Sequence, residues 1–176
     1  MLNTGICVNQ AQFKIGSLDD SCLTSNNCAG DFLINFWYIY SGESPLDQEV
    51  SVLSLGLFSF TILNRKYPAP TTGYIQWMDG QCKYSFQVPV KSWVYVSVFV
   101  QRSSNTMELY FNGELYIPQE SCVVSSVSAG DLNVTDLITG YLRIDEFSVF
   151  PFTINVSIPF LYQSVVDGKL LPGGQL

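Results

Sequence analysis

A run of apolar residues near the middle of the chain, at positions 92–100, constrains the fold more than any other segment. Its sequence, Ser-Trp-Val-Tyr-Val-Ser-Val-Phe-Val, has apolar residues at odd and even positions alike, which is typical of a strand with both faces buried. At positions 107–116, Asn112-Gly113 stands between alternating apolar residues, the strongest short-range signal of a β-hairpin. Together the two segments predict the centre of a two-layer β-sandwich.

Short apolar and β-branched segments recur along the chain, with turn-forming Gly, Pro, Asn, Asp and Ser residues between them. One of them, 50–64, is too long for a typical strand, and we expect it to bend or split at Gly56. The spacing is that of an all-β antiparallel sandwich. The predicted strands are 13–15, 32–40, 50–64, 73–78, 82–88, 93–101, 107–111, 114–117, 122–127 and 142–150.

The length and composition favour one globular domain over residues 1–176. Charged residues make up 13% of the chain and hydrophobic residues 47%, the opposite of a disordered sequence. We expect the core at about 13–168 and a C-terminal tail or linker at 169–176. The segment 158–166 alone has helical spacing, and Gly168 is well placed as its stop.

The charge balance excludes some classes of partner. With 8 basic and 15 acidic residues, the net charge is -7 and the pI about 4.3, so the surface repels phosphate backbones. Nucleic acid is therefore not an expected partner. No apolar stretch reaches the roughly 18 residues of a membrane helix, so we expect no direct membrane insertion by this segment.

Five cysteines leave several disulfide arrangements open. Cys22 and Cys28 flank a short polar loop and are predicted to form one disulfide. Cys82 and Cys122 are the next pair, because both lie in predicted strands. Cys7 then stays free or pairs outside this segment.

Two glycosylation sequons, at Asn133 and Asn155, agree with passage through a glycosylating compartment. Together with the short spacing from Cys22 to Cys28, they favour an extracellular location, either secreted or in a cell-surface ectodomain. A cytosolic protein with five reduced thiols is the alternative.

Several local patterns occur in one order along the chain. Cys22, Cys28 and Gly30 precede the apolar strand, the 93–96 segment precedes the hairpin, and 144–150 precedes the short helix. This order resembles the concanavalin A-like jelly roll, in the laminin G-like and pentraxin-like branch found in animal adhesion receptors and matrix proteins. The resemblance covers about 17–168 and implies a two-sheet antiparallel jelly-roll sandwich with one short C-terminal helix.

The chain departs from both branches at particular positions. True pentraxins resemble it around Ser92-Trp93 but have cysteines where this chain has Val90 and the Ile34-Asn35 pair. Laminin G-like domains often have a histidine where this chain has Tyr95, and an aromatic ring can fill the same place.

The residues do not support catalysis, and we predict that the chain is not an enzyme. It has no histidine, which removes Ser-His-Asp and Cys-His chemistry. Glycosidases that resemble it in fold have acids at alternate positions of one strand, a pattern absent from this sequence. Asp145 and Glu146 are adjacent in a predicted strand, so we expect them to point to opposite faces and not to act on one ligand.

No cofactor is expected from the sequence; calcium is the alternative, with Asp131, Asp136 and Asp145 as candidate ligands. The alternative for the first two is solvated loop acids, because no dense Asp cluster is present. Asp145 is predicted to share a face with Phe147 and Val149. There the resemblance implies a structural carboxylate that accepts N–H bonds from a neighbouring loop.

Three tryptophans are candidates for ligand contact. Trp77, beside Met78 and the Asp79-Gly80 turn, is predicted to be an exposed binding residue, since exposed aromatic residues on loops often mediate recognition. Trp37 and Trp93 lie within strand patterns and are predicted to be packing residues.

The resemblance implies an extracellular recognition or adhesion module, non-catalytic and part of a larger protein, that binds a protein or glycan through its rim loops or a sheet face. A lectin-like carbohydrate-binding module is one alternative. A structural or oligomerisation module of a receptor ectodomain is another, and the oligomeric state stays open.

Overall fold

The computed structural model describes most of the β-structure of the chain. Backbone is described for residues 6–7, 12–17, 31–40, 48–55, 58–64, 72–77, 82–101, 104, 106–121, 131–135, 142–151 and 157–166. Within these residues, no helix combines the length and the apolar composition required to cross a membrane.

Two antiparallel six-stranded sheets form the described fold, together with one helix. The elements are β1 (Ile6–Cys7), β2 (Gln12–Ser17), β3 (Phe32–Tyr40), β4 (Gln48–Leu55), β5 (Phe58–Asn64), β6 (Thr72–Trp77), β7 (Cys82–Gln87), β8 (Trp93–Gln101), β9 (Thr106–Phe111), β10 (Glu114–Ser121), β11 (Asp131–Thr135), β12 (Leu142–Pro151) and α1 (Ile158–Val166). The first sheet has the order β1-β12-β3-β8-β9-β10, and the second has the order β2-β11-β4-β5-β6-β7. The predicted all-β, two-sheet antiparallel sandwich is confirmed.

Most predicted elements agree with the structure. The bounds of β3, β8 and α1 are those predicted, and the long apolar segment divides between Leu55 and Phe58, as expected. Strands β1 and β11 were not predicted. The predicted strand 122–127 lies outside the described residues.

Side chains from both sheets meet in one apolar core. In β3 the even-numbered residues from Phe32 to Tyr40 belong to this core, as do the even-numbered valines of β8. Aromatic rings join the two sheets: the centroid of Phe60 lies 5.4 Å from that of Phe36 and 5.1 Å from that of Tyr38. The period of two along each strand produces this segregation.

The opposite face of the first sheet is also partly covered. Leu33 in β3 and Tyr95 and Phe99 in β8 point away from the inter-sheet core and are nevertheless buried. Helix α1 lies on this side, where the ring of Tyr162 is 5.7 Å from Tyr95 and 6.2 Å from Trp37. The prediction that the middle strand is buried on both faces is therefore confirmed for most of β8.

The predicted hairpin turn is present between β9 and β10. Asn112 and Gly113 have φ angles of 50° and 79°, the positive values that a type I′ turn requires, and Phe111 pairs with Glu114. Asn112 also binds β8: its backbone N–H donates to the Tyr95 carbonyl at 2.8 Å, and its Oδ1 accepts the Tyr95 N–H at 2.9 Å. The turn is thus attached to the strand beside it.

One buried hydroxyl in the core has no partner within the described structure, that of Tyr38. Burial also raises the pKa of this hydroxyl. Removing an unpaired buried polar group removes its desolvation cost, so Tyr38→Phe should leave stability unchanged or raise it by about 1 kcal/mol. Tyr110→Phe is the control, because that hydroxyl donates to Glu108, and it should lose about 1 kcal/mol. Urea denaturation measures both, and a marked loss in Tyr38→Phe would contradict the expected order.

The hairpin tip leaves no room for a side chain at Gly113. A Cβ there would lie 2.9 Å from Cδ1 of Tyr162, and the φ of 79° is strained for any other residue. Gly113→Ala should therefore destabilise the fold by about 1–3 kcal/mol. In a Tyr162→Ala background the cost should be smaller, because only the backbone strain remains, and a double-mutant cycle measures the difference. An unchanged unfolding midpoint in Gly113→Ala would show that the turn is misassigned.

Candidate functional site: an aromatic and acidic pocket

A β-bulge in β12 shapes the site. Asp145 pairs with Trp37 and Ser148 pairs with Asn35, so two residues of β12, Glu146 and Phe147, stand opposite the single residue of β3 between those partners. Glu146 has a φ of 49°, in the left-handed region that residues other than glycine rarely adopt. The extra residue exchanges the faces that Glu146 and Phe147 would occupy in a regular strand.

The bulge brings two carboxylates to one side of the sheet. Phe147 packs against the inter-sheet core, with its ring 6.2 Å from that of Phe36, whereas Asp145 and Glu146 both line a surface pocket. The prediction that Asp145 and Glu146 point to opposite faces is therefore wrong. The prediction that Asp145 shares a face with Phe147 is also wrong, since both assumed regular alternation.

The described lining of this pocket combines two indole rings, two carboxylates and one aliphatic side chain. It is an open pocket of about 420 Å³, a size within the usual range of ligand sites. Trp93 and Val166 are 42% and 52% exposed, so the rim is accessible. The lining residues are Trp37, Trp93, Asp145, Glu146 and Val166.

Hydrogen bonds order the acidic side of the pocket. The indole N–H of Trp37 donates to Oε2 of Glu146 at 3.2 Å, and the backbone N–H of Glu146 donates to Oδ1 of Asp145 at 2.8 Å. Asp145 thus accepts a backbone N–H, as the resemblance implied, but the donor is the next residue of its own strand. Among the described residues, each carboxylate has one oxygen that accepts no hydrogen bond.

Packed aromatic rings support the pocket from below. The centroid of the Trp37 ring lies 4.9 Å from that of Tyr95, and both rings contact Tyr162 of α1. Tyr95 is held in turn by its two backbone hydrogen bonds to Asn112. These contacts fix Trp37 before any ligand binds.

The negative charge of Glu146 affects the pKa of one of these aromatic residues, Tyr95. Burial, and then the negative charge of Glu146, raise the pKa of the Tyr95 hydroxyl above its ordinary value. Tyr95 therefore remains neutral at physiological pH and belongs to the support of the pocket. The negative charge near the site comes from the two carboxylates.

The structure corrects the prediction for one of the three tryptophans. Trp93 is not a core packing residue, because it is the first residue of β8 and lies on the face turned away from the core. Trp37 packs against tyrosines on that same face and is partly exposed. Trp77 ends β6 and pairs with Phe58 and Cys82, and its side chain lies outside the described residues. Its predicted role in binding stays a prediction.

Of the predicted disulfide residues, Cys82 has a described side chain. It is buried at the start of β7 and is disulfide-bonded. Its pairing with Cys122 stays a prediction, as does the pair Cys22 and Cys28, because those residues lie outside the described part of the chain.

The structure describes only some of the residues predicted to bind calcium or to carry a glycan. Asp131 and Asn133 lie in β11 of the second sheet, and their side chains are outside the described residues, as are Asp136 and Asn155. Among the described residues, no three His, Cys, Asp or Glu side chains lie close enough to hold a metal ion. Asp145 is in the first sheet, so it shares no strand or sheet with Asp131.

The sequence does contain a partial signal for this pocket. In β3 and β8 the even positions form the core, so Trp37, Trp93 and Tyr95, all at odd positions, share the opposite face. Applying the period of two to both strands together would have found this aromatic face. The bulge that adds Glu146 to it has no comparable signal.

Comparisons with known proteins identify the fold. No protein-family model matches the chain, and no curated protein matches it. The binding domain of botulinum neurotoxin DC, solved in complex with rat synaptotagmin II, has a TM-score of 0.59 and 13% identity over 88% of this chain and 40% of that chain. A structure of botulinum neurotoxin type C, whose cell entry depends on two ganglioside molecules, has a TM-score of 0.54 and 15% identity over 77% of this chain and 36% of that chain.

An enzyme has a similar fold. A Trypanosoma rangeli sialidase has a TM-score of 0.56 and 11% identity over 78% of this chain and 23% of that chain. At these identities the three matches establish a β-sandwich fold, and this chain spans less than half the length of each matched chain. The laminin G-like assignment stays a prediction.

The strained backbone of Glu146 gives a stability test of the bulge. Glycine adopts a positive φ without the penalty of about 1 kcal/mol that other residues incur, so Glu146→Gly should be more stable than Glu146→Ala by about that amount. In a regular strand the order is reversed, and Glu108→Gly should be less stable than Glu108→Ala. Thermal unfolding of the four variants measures both orders. If alanine is the more stable residue at both positions, the bulge is not as described.

Proposed function

We propose that this chain is a non-catalytic extracellular recognition module that holds its partner at the aromatic and acidic pocket. The observation that carries the proposal is the exposed ring of Trp93 beside Trp37 and two carboxylates in one open pocket. Exposed tryptophans over an ordered base are typical of residues that dominate binding energy.

The support beneath the pocket favours binding. Trp37 is held by Tyr95, Tyr162 and Glu146, so little side-chain freedom remains to be lost when a partner docks. Sites on strands are also more precisely positioned than sites on loops. Of the two contact surfaces expected from the sequence, rim loops and a sheet face, the proposed one is therefore the face of the first sheet.

Two of the similar structures are consistent with a binding role on this fold. The neurotoxin DC domain is in complex with a protein, synaptotagmin II, and the type C structure concerns two gangliosides. The fold alone transfers neither partner to this chain. What supports recognition here is the composition of the pocket.

The sialidase match raises catalysis as the competing function. The chain has no histidine, and its two pocket carboxylates belong to adjacent residues, with the backbone N–H of Glu146 donating to the Asp145 carboxylate. Most glycosidases place two carboxyl groups on opposite sides of a scissile bond, about 5–10 Å apart, whereas sialidases use a tyrosine nucleophile. No tyrosine is among the described residues that line this pocket. This arrangement supports the non-catalytic proposal.

The extracellular and adhesion parts of the proposal have separate support. The disulfide at Cys82 is typical of proteins from oxidising compartments, and the sequon at Asn133 agrees with it. Adhesion rests on the laminin G-like resemblance and extends the proposal to a module of a larger surface protein.

Binding assays with variants of Trp93 and Trp77 test this proposal. The folded chain is applied to a glycan microarray carrying neutral, amino and sialylated glycans and to an array of extracellular protein domains. We expect binding to at least one array, weakened about tenfold or more by Trp93→Ala because a central aromatic contact is lost. Trp93→Phe should retain most of the affinity.

Trp77→Ala is the matched control, since it removes the same side chain at the end of β6 in the other sheet. Failure to bind any member of either array, or a loss confined to Trp77→Ala, would contradict the proposed site. A sialoside hydrolysis assay addresses the enzymatic alternative. Release of sialic acid that is abolished by Glu146→Gln would make the chain a hydrolase.

A further inference from the structure

The charge of the pocket has no basic partner among the residues whose side chains the structure describes. Among the described residues, neither a lysine nor an arginine contacts the carboxylates of Asp145 and Glu146. Their recorded partners are the N–H of Trp37 and a backbone N–H, which leave acceptor oxygens available. A ligand that supplies both positive charge and N–H donors is complementary to this lining.

The tryptophans further restrict the kind of chemical group that the pocket can bind. The faces of indole rings attract cations, and Trp93 is exposed at the rim. A guanidinium group is planar, so it can stack on such a ring while its N–H groups pair with carboxylates. An ammonium group offers no plane to stack, and an anionic sugar would be repelled by both acids.

On the basis of the proposed function of this pocket, we propose that it binds an arginine side chain displayed by a protein partner. The guanidinium stacks on Trp93 and donates hydrogen bonds to Asp145 and Glu146. The pocket of about 420 Å³ has room for this group, and the net charge of -7 favours approach of a basic surface.

Arg143 defines the competing outcome. It lies two residues before Asp145 in β12, and its side chain is outside the described residues. If an anionic ligand were held between Arg143 and the tryptophans, a sialylated glycan would bind better than a basic peptide. The test therefore includes sialyllactose as an anionic probe.

NMR titration of the isotope-labelled chain tests the proposal with defined probes. The peptide acetyl-Gly-Arg-Gly-amide should shift the indole N–H signals of Trp37 and Trp93, which are assigned with Trp→Phe variants. The same peptide with citrulline in place of arginine keeps the shape and loses the charge. It should bind at least about fivefold more weakly, since both the charge-assisted pairs and the cation attraction to the ring are lost.

Substitutions of the pocket residues test whether the arginine peptide binds in the pocket. Glu146→Gln and Asp145→Asn should each weaken the arginine peptide about threefold, and Trp93→Ala about tenfold. Asp131→Asn removes one acidic charge from the second sheet and should have little effect. Raising the salt concentration to about 0.5 M should also weaken binding, because exposed charges are screened.

Each result separates this inference from the proposed function. Equal binding of the citrulline peptide, or tighter binding of sialyllactose at the Trp93 signal, would overturn arginine recognition and leave the pocket as a binding site. No shift at Trp37 or Trp93 with the arginine peptide would also overturn it. If array binding is independent of Trp93 as well, the proposed function fails with it.

Discussion

Burial of both faces of β3 and β8 is the constraint on which the rest of the structure depends. Their even-numbered side chains fill the core against the second sheet, while odd-numbered residues such as Tyr95 need a separate cover. Helix α1 contributes to that cover through Tyr162, which packs on Tyr95 and Trp37. The pocket lies where this cover ends, near Val166 at the end of the helix, so the partly exposed tryptophans follow from the extent of the helix.

The bulge in β12 allows an acidic residue to reach the surface and the apolar residue after it to pack in the core. Ile144 lies in the core, so regular alternation would turn Glu146 into the core and Phe147 toward solvent, at the cost of burying an unpaired charge. One extra residue reverses both positions: Phe147 packs in the core, and Glu146 reaches the surface beside Asp145. The pairing with β3 resumes at Ser148, so the strain at Glu146 stays local, as is common at functional sites.

The sequence was sufficient for the regular parts of the fold. Uninterrupted apolar strands, the division near Gly56 and the Asn112-Gly113 turn each have a local signal that tertiary structure did not override. Strand β11 was missed because it is short and begins at Asp131, directly after a glycine that indicates a turn. The pocket was missed for a different reason: the exposure of Trp93 and the reorientation of Glu146 depend on neighbouring strands, which a single strand's pattern does not contain.

Direct contacts connect the hairpin turn to the pocket. Asn112 needs a positive φ to complete the turn, and in that conformation its amide group and backbone both bind Tyr95. Gly113 has no side chain, so Tyr162 can pack closely against the turn while its ring also contacts Trp37. The two residues that form the tight turn therefore also help to position the Trp37 indole, which donates to Glu146. A pocket supported in this way is ordered before its partner arrives, which lowers the entropy cost of binding even though the pocket is shallow and open.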